Sequence, residues 1–165
     1  MGQNIKKNNY KSLRDLPAQV DASPDTAARN RARYFNSGYA FMVEEPLIPD
    51  TVFQAEPRKA FSDSTPTSLI PCDISSQLRC SYPATSPLIL VYYARINCGD
   101  VLPTVFNASG ALAYVISGSG ETSCEDEVIQ WGKGDVFLMP GGKKQTHKAF
   151  KEPVILWIAT NEPQL

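Results

Sequence analysis

His147 is the only histidine in this chain of 165 residues. An imidazole titrates near neutrality, so it suits proton transfer or ligation of a borderline metal. One imidazole cannot supply a site of two or three within a single copy of the chain. Cysteine adds little, because Cys72, Cys80, Cys98 and Cys124 contain no CxxC pair. Neither a zinc knuckle nor thioredoxin-type chemistry is indicated. In a reducing compartment these thiols read as small buried hydrophobes, with one disulfide left open. Ser117, Ser119 and Ser123 have no His–Asp arrangement beside them, so no hydrolase triad is supported. Gly118-Ser119-Gly120-Glu121 is not a phosphate loop, since no helix follows it. Arg95 has two readings: a bidentate partner for a carboxylate if it faces a cavity, or surface charge if it does not. Lys143, Lys144, Lys148 and Lys151 read either as a solvated strand end or as a field that attracts an anion. Glu125-Asp126-Glu127 reads as a hairpin tip, and Trp131 and Trp157 as core or interface.

Composition narrows the classes. Hydrophobic residues make up 42% and charged residues 20%, as in an ordinary globular protein. Lys plus Arg is 16 and Asp plus Glu is 17, a net charge of −1. That balance argues against nucleic acid as a partner. No apolar run approaches the ~20 residues of a membrane helix. The opening MGQNIKKNNYK is polar, without the apolar middle of a signal peptide. The expectation is a cytoplasmic protein with no membrane partner.

The chain changes texture near residue 85. Nine of its thirteen prolines lie before residue 88. Proline lacks a backbone donor and fixes φ, so residues 1–85 are expected to form an arm of short segments and turns. One helix is signalled there, at about 24–35. Ser23 is placed to cap it, Pro24 suits its first position, and Asn36-Ser37-Gly38 stops it. YAFMVEEPLI (39–48) is the expected strand that packs on the second half or on a partner.

From 86 to 165 short β-branched and aromatic runs alternate with glycine turns. They are SPLILVYYARI (86–96), VLPTVF (101–106), ALAYVIS (111–117), EVIQW (127–131), DVFLMP (135–140) and VILWIAT (154–160). This pattern predicts an all-β barrel or double-sheet jelly roll.

The glycine and proline skeleton resembles the two motifs of the cupin superfamily. The first opens on Gly99, passes DVLPT, and reaches Val105, Phe106 and Asn107, with Ala111 and Gly118 at its later positions. The second opens on Gly134, passes DVFLM, and continues Pro140-Gly141-Gly142, Lys143-Lys144, Gln145. Within cupins the likeness is to gentisate 1,2-dioxygenase-like bicupins, through ALAYVISGSGE (111–121), KQTHK (144–148) and EPVILWIATNEPQL (152–165). The resemblance implies a cupin-type jelly-roll β-barrel over 86–165, corresponding to one half of a bicupin. It also implies a homodimer, because cupins commonly pair through sheet edges.

Such dioxygenases hold ferrous iron with imidazoles. The resemblance places Val105, Asn107 and Gln145 at the ligand positions. Valine has no donor atom, and carboxamide oxygens suit hard cations better than iron. The expectation is therefore a degenerate cupin without the usual iron site, with no cofactor, that binds a small anionic or aromatic molecule in the barrel. Its expected lining includes Tyr93, Arg95, Val105, Asn107, Gln145 and His147, together with Ala113. The alternative is a dioxygenase-like enzyme whose rebuilt site of Asn107, Gln145 and His147 holds Fe(II) or another divalent metal weakly. The catalytic residues stay unassigned.

Overall fold

The computed structural model describes residues 10, 15–34, 36, 38 and 48–164. The chain divides into two units, Met1–Leu47 and Ile48–Leu165. In the first, helix α1 spans Ala27–Arg31, shorter than the expected 24–35. Its cap is Thr26 rather than Ser23: the Arg29 N–H donates to Thr26 Oγ1 at 3.2 Å. Ala32 is already extended, at φ −60° and ψ 140°, so the helix ends before the glycine that was expected to stop it. A bridge between Gln19 and Tyr34 claims the backbone there instead. Residues 39–47 of the expected strand lie outside the described residues.

The second unit is almost entirely β-structure. Its strands are β1 Ser68–Pro71, β2 Leu90–Ile96, β3 Val101–Thr104, β4 Gly110–Ser117, β5 Ser119–Cys124, β6 Glu127–Gly132, β7 Val136–Pro140, β8 Gln145–Ala149 and β9 Val154–Thr160. Two short helices precede β2: α2 at Ala55–Phe61 and α3 at Ser75–Leu78. The strands form two antiparallel sheets, ordered β1-β2-β9-β4-β7 and β3-β8-β5-β6. The sheets face one another but do not close into a barrel. β1 lies before the boundary expected at residue 85 and belongs to the sheet unit. Ser68–Pro71 pairs with Arg95–Tyr92 and covers the edge of β2. An uncovered edge there would leave its backbone groups unpaired.

Alternation along the strands builds the core. Ala94 and Ile96 from β2, Leu156 and Ile158 from β9, Ala113 and Val115 from β4, and Phe137 and Met139 from β7 meet Leu102, Ala149 and Trp131 from the other sheet. The other face of the larger sheet is covered by α2, where Ala60 packs with Ile70, Ile155 and Tyr93. Pro103 is tolerated because β3 is an edge strand and needs no donor on its free side.

The stretch expected to be a glycine turn is the start of β5. Gly118 alone carries the chain from the larger sheet to the smaller, with φ +85°. Gly120 lies directly under the Trp131 ring. An added Cβ there would run into the ring and the Lys148 carbonyl. Gly120→Ala is therefore expected to lower stability by about 1–3 kcal/mol through overpacking. Urea denaturation monitored by tryptophan fluorescence measures this, and an unchanged midpoint would contradict the close approach.

Candidate functional site

The inner face of the smaller sheet carries a row of polar side chains inside an otherwise apolar core. Thr104 comes from β3, Gln145 and His147 from β8, and Thr122 from β5; all four are buried, Gln145 and His147 completely. Alternation on β8 puts Gln145 and His147 on the same face, as expected. Trp131 of β6 completes the row.

Hydrogen bonds run through this row in one direction. The Trp131 indole N–H, which can only donate, gives its proton to Thr122 Oγ1 at 2.8 Å. Thr122 Oγ1 lies 2.8 Å from His147 Nδ1, and Thr104 Oγ1 lies 2.9 Å from His147 Nε2. The Thr104 hydroxyl donates to Gln145 Oε1 at 3.3 Å, and Gln145 Nε2 donates to the Pro140 carbonyl at 2.6 Å. One arrangement of protons satisfies every member. Thr122 donates to Nδ1, and a neutral imidazole carrying its proton on Nε2 donates to Thr104. A proton on Nδ1 instead would leave the Thr122 hydroxyl without an acceptor and Gln145 Oε1 without a donor. Among the described residues no buried side-chain polar atom lacks a partner.

Burial pushes the His147 pKa down from 6.5 to about 4. The imidazole is therefore neutral at pH 7, as this proton arrangement requires.

The structure places the other expected site residues elsewhere. Val105 is 61% exposed, and Asn107 is exposed with its backbone N–H donating to Glu162 Oε1 at 3.3 Å. The inward positions of this segment are Leu102, Thr104 and Phe106, one residue out of phase with the motif spacing. Because side chains alternate with period two, a one-residue offset sends every side chain to the opposite face. The alternative metal set of Asn107, Gln145 and His147 is therefore not brought together. Tyr93 and Arg95 lie on the α2 face of β2, and Tyr92 instead points inward against Phe106. Arg95 is 3% exposed and donates to the Ala60 carbonyl at 3.0 Å, Asn97 Oδ1 at 2.9 Å and Asp63 Oδ1 at 3.2 Å. It holds the end of α2 to the sheet. Ala113 is buried in the core, as its inward position requires. Thr104 and Thr122 were not singled out from sequence. Their signal, a threonine at an inward strand position, is hidden by the phase of β3 and by the lack of any expected strand over Ser119–Cys124.

The residues present do not suit an iron centre. Both imidazole nitrogens, both ends of the Gln145 carboxamide and both threonine hydroxyls are already committed within the row. Among the described residues no group of three or more His, Cys, Asp or Glu side chains is placed to hold a metal.

A cleft of about 430 Å³ opens beside Thr122 of this row, between the β5–β6 hairpin and the end of β7. Thr122 lines its inner part with Met139. Ile129, Leu138 and Pro140 form apolar walls, and Cys124, Glu125, Asp126, Glu127 and Lys143 complete it. A larger groove of about 660 Å³ lies along Leu112, Leu138 and Ala159. Its polar groups are tied to neighbours, Ser109 to Asn161 and Thr160 to Glu162. Both border Pro140, at the end of the row, and the smaller cleft also reaches the buried Thr122.

The row has a pH signature. Between pH 6.5 and about 4 the unfolded chain binds a proton at His147 that the folded chain does not. Stability therefore falls as the pH falls through that window, by about 3 kcal/mol in total. His147→Gln removes the titrating group. Urea midpoints at pH 7 and pH 4 are expected to differ more for the native chain than for this variant, and equal differences would contradict a buried neutral imidazole.

No family model matches the chain. It is 27% identical to a 5-aminosalicylate 1,2-dioxygenase of a Comamonas species, over 46% of this chain and 25% of that enzyme. It is 40% identical to a 1-hydroxy-2-naphthoate 1,2-dioxygenase of Nocardioides strain KP7, over 35% of this chain and 16% of that enzyme. The matches thus span a quarter or less of those relatives' lengths. Among solved structures it resembles a salicylate 1,2-dioxygenase of Pseudoaminobacter salicylatoxidans, a point mutant in complex with gentisate. The TM-score is 0.51 at 16% identity, covering 62% of this chain and 27% of that one. Two facing antiparallel sheets, the glycine skeleton that turns them and these likenesses agree: the chain has a cupin-like all-β fold and, over part of its length, is similar to ring-cleaving 1,2-dioxygenases.

Proposed function

We propose that this protein is a cupin that does not hold catalytic iron and that binds a small molecule with an aromatic or apolar body in the cleft beside Thr122. The carrying observation is the closed hydrogen-bond row. The single imidazole is held between two threonine hydroxyls, with no lone pair left for a metal. A transition ion would have to break the His147–Thr122 bond and then find further donors among groups already in use. An apolar-walled cleft whose floor is fixed by that row is suited to binding rather than to oxygen chemistry. The named substrates of the two curated relatives are aromatic acids, which supports an aromatic body for the ligand.

The competing reading is a metal-dependent, dioxygenase-like enzyme with a rebuilt site. Incubation with ferrous iron under anaerobic conditions, followed by desalting and elemental analysis, separates the two. Iron well below one per chain is expected, with no oxygen uptake on gentisate or 5-aminosalicylate. One iron per chain, lost in both Gln145→Ala and His147→Ala, would overturn the proposal. The binding part is tested by thermal shift with single-ring aromatic compounds. Ile129→Trp narrows the cleft from its partly exposed wall and is expected to abolish any shift while leaving the melting temperature of the free protein within a few degrees.

A further inference from the structure

We infer that the cleft selects a ligand carrying a cationic amino group on its apolar body, and discriminates against anions. This rests on the reading that the cleft binds a small molecule, and it opposes the anion preference that the lysine cluster suggests from sequence alone.

The argument begins with which charges reach the cleft. Three carboxylates line it, those of Glu125, Asp126 and Glu127, against one ammonium, that of Lys143. Lys143 donates to Glu125 Oε2 at 2.7 Å, so these two charges neutralise one another. That bond, followed by the charge of Glu125, raises the Lys143 pKa and keeps it an ammonium. Asp126 and Glu127 form no ion pair among the described residues. Lys144, Lys148 and Lys151, the cluster's other members, do not line the cleft, and Lys144 borders the adjoining cavity that shares Glu125 and Lys143 with it. Two unbalanced negative charges therefore remain at its mouth.

The hairpin fixes where those charges sit. Cys124 and Glu127 are the last paired residues of β5 and β6, which makes Glu125-Asp126 a two-residue turn with Glu125 at φ +53°. Met139 and Thr122 are the buried part of the lining, and Ile129 and Leu138 add exposed apolar walls. Apolar walls thus stand beside an anionic turn, which matches an aromatic amine that lays its ring against Met139, Ile129 and Leu138 and leaves its ammonium among the carboxylates.

Three probes of one shape separate charge from fit: benzylammonium, benzyl alcohol and benzoate, titrated calorimetrically into the full chain at low ionic strength. Benzylammonium is expected to bind about tenfold more tightly than benzyl alcohol, and benzoate more weakly than either. Raising the salt concentration should shrink this order, since the mouth is exposed. Asp126→Asn combined with Glu127→Gln should bring benzylammonium down to the level of benzyl alcohol and leave benzyl alcohol unchanged. Cys124 lies in the cleft and Cys98 does not. Bound benzylammonium should therefore slow alkylation of Cys124 alone, read by peptide mass spectrometry. Benzoate binding as tightly as benzylammonium would overturn the charge selection, while benzyl alcohol binding that is lost in Ile129→Trp would still uphold the cleft. Failure of all three probes to bind or to protect Cys124 would overturn both.

Discussion

A row of polar side chains lying on a dry sheet face is stable only if every donor meets an acceptor, and that constraint organises this protein. An unpaired buried hydroxyl or carboxamide costs on the order of 1–3 kcal/mol. Thr104, Thr122, Gln145 and His147 avoid that cost together or not at all. Because Trp131 can only donate and the Pro140 carbonyl can only accept, the row has two fixed ends and one direction. Those ends determine the tautomer of an imidazole that no solvent touches. The row crosses β6, β5, β8 and β3 in turn, so it also ties all four strands of the smaller sheet to one register.

The same requirement supports the proposal that the protein holds no catalytic iron. An iron centre needs free lone pairs converging on a point, and here the inward-facing lone pairs are spent on neighbouring side chains. Around the row lie a glycine corner at Gly118, short strands, and a cleft between the β5–β6 hairpin and the end of β7. The polar row gives that cleft a rigid floor at Thr122. Its chemistry is then set by the hairpin at its mouth, where Lys143 is absorbed by Glu125.

Arg95 shows how one side chain changes meaning with its face. From sequence it had two readings of equal standing, cavity anchor or surface charge. The structure gives a third. It is buried beneath α2 and bonds the Ala60 carbonyl, so its charge joins a helix end to a sheet. Its two-residue offset from Tyr93 put both on that face, while Tyr92 turned inward to Phe106. Alternation predicted that the two tyrosines would part, but not which would enter the core.

Local chemistry was enough to place the β-rich half, its short strands, the shared face of Gln145 and His147, and the single imidazole. These follow from residue identity and from the period of two, which depend on nearest neighbours along the chain. Strand phase, the partners of His147, the burial of Arg95 and the sign of charge at the cleft mouth do not. Each depends on which residue a distant strand brings alongside: Thr104 and Thr122 approach His147 across 43 and 25 residues of chain. Only the packing of one sheet against another selects between two phases that are locally equivalent.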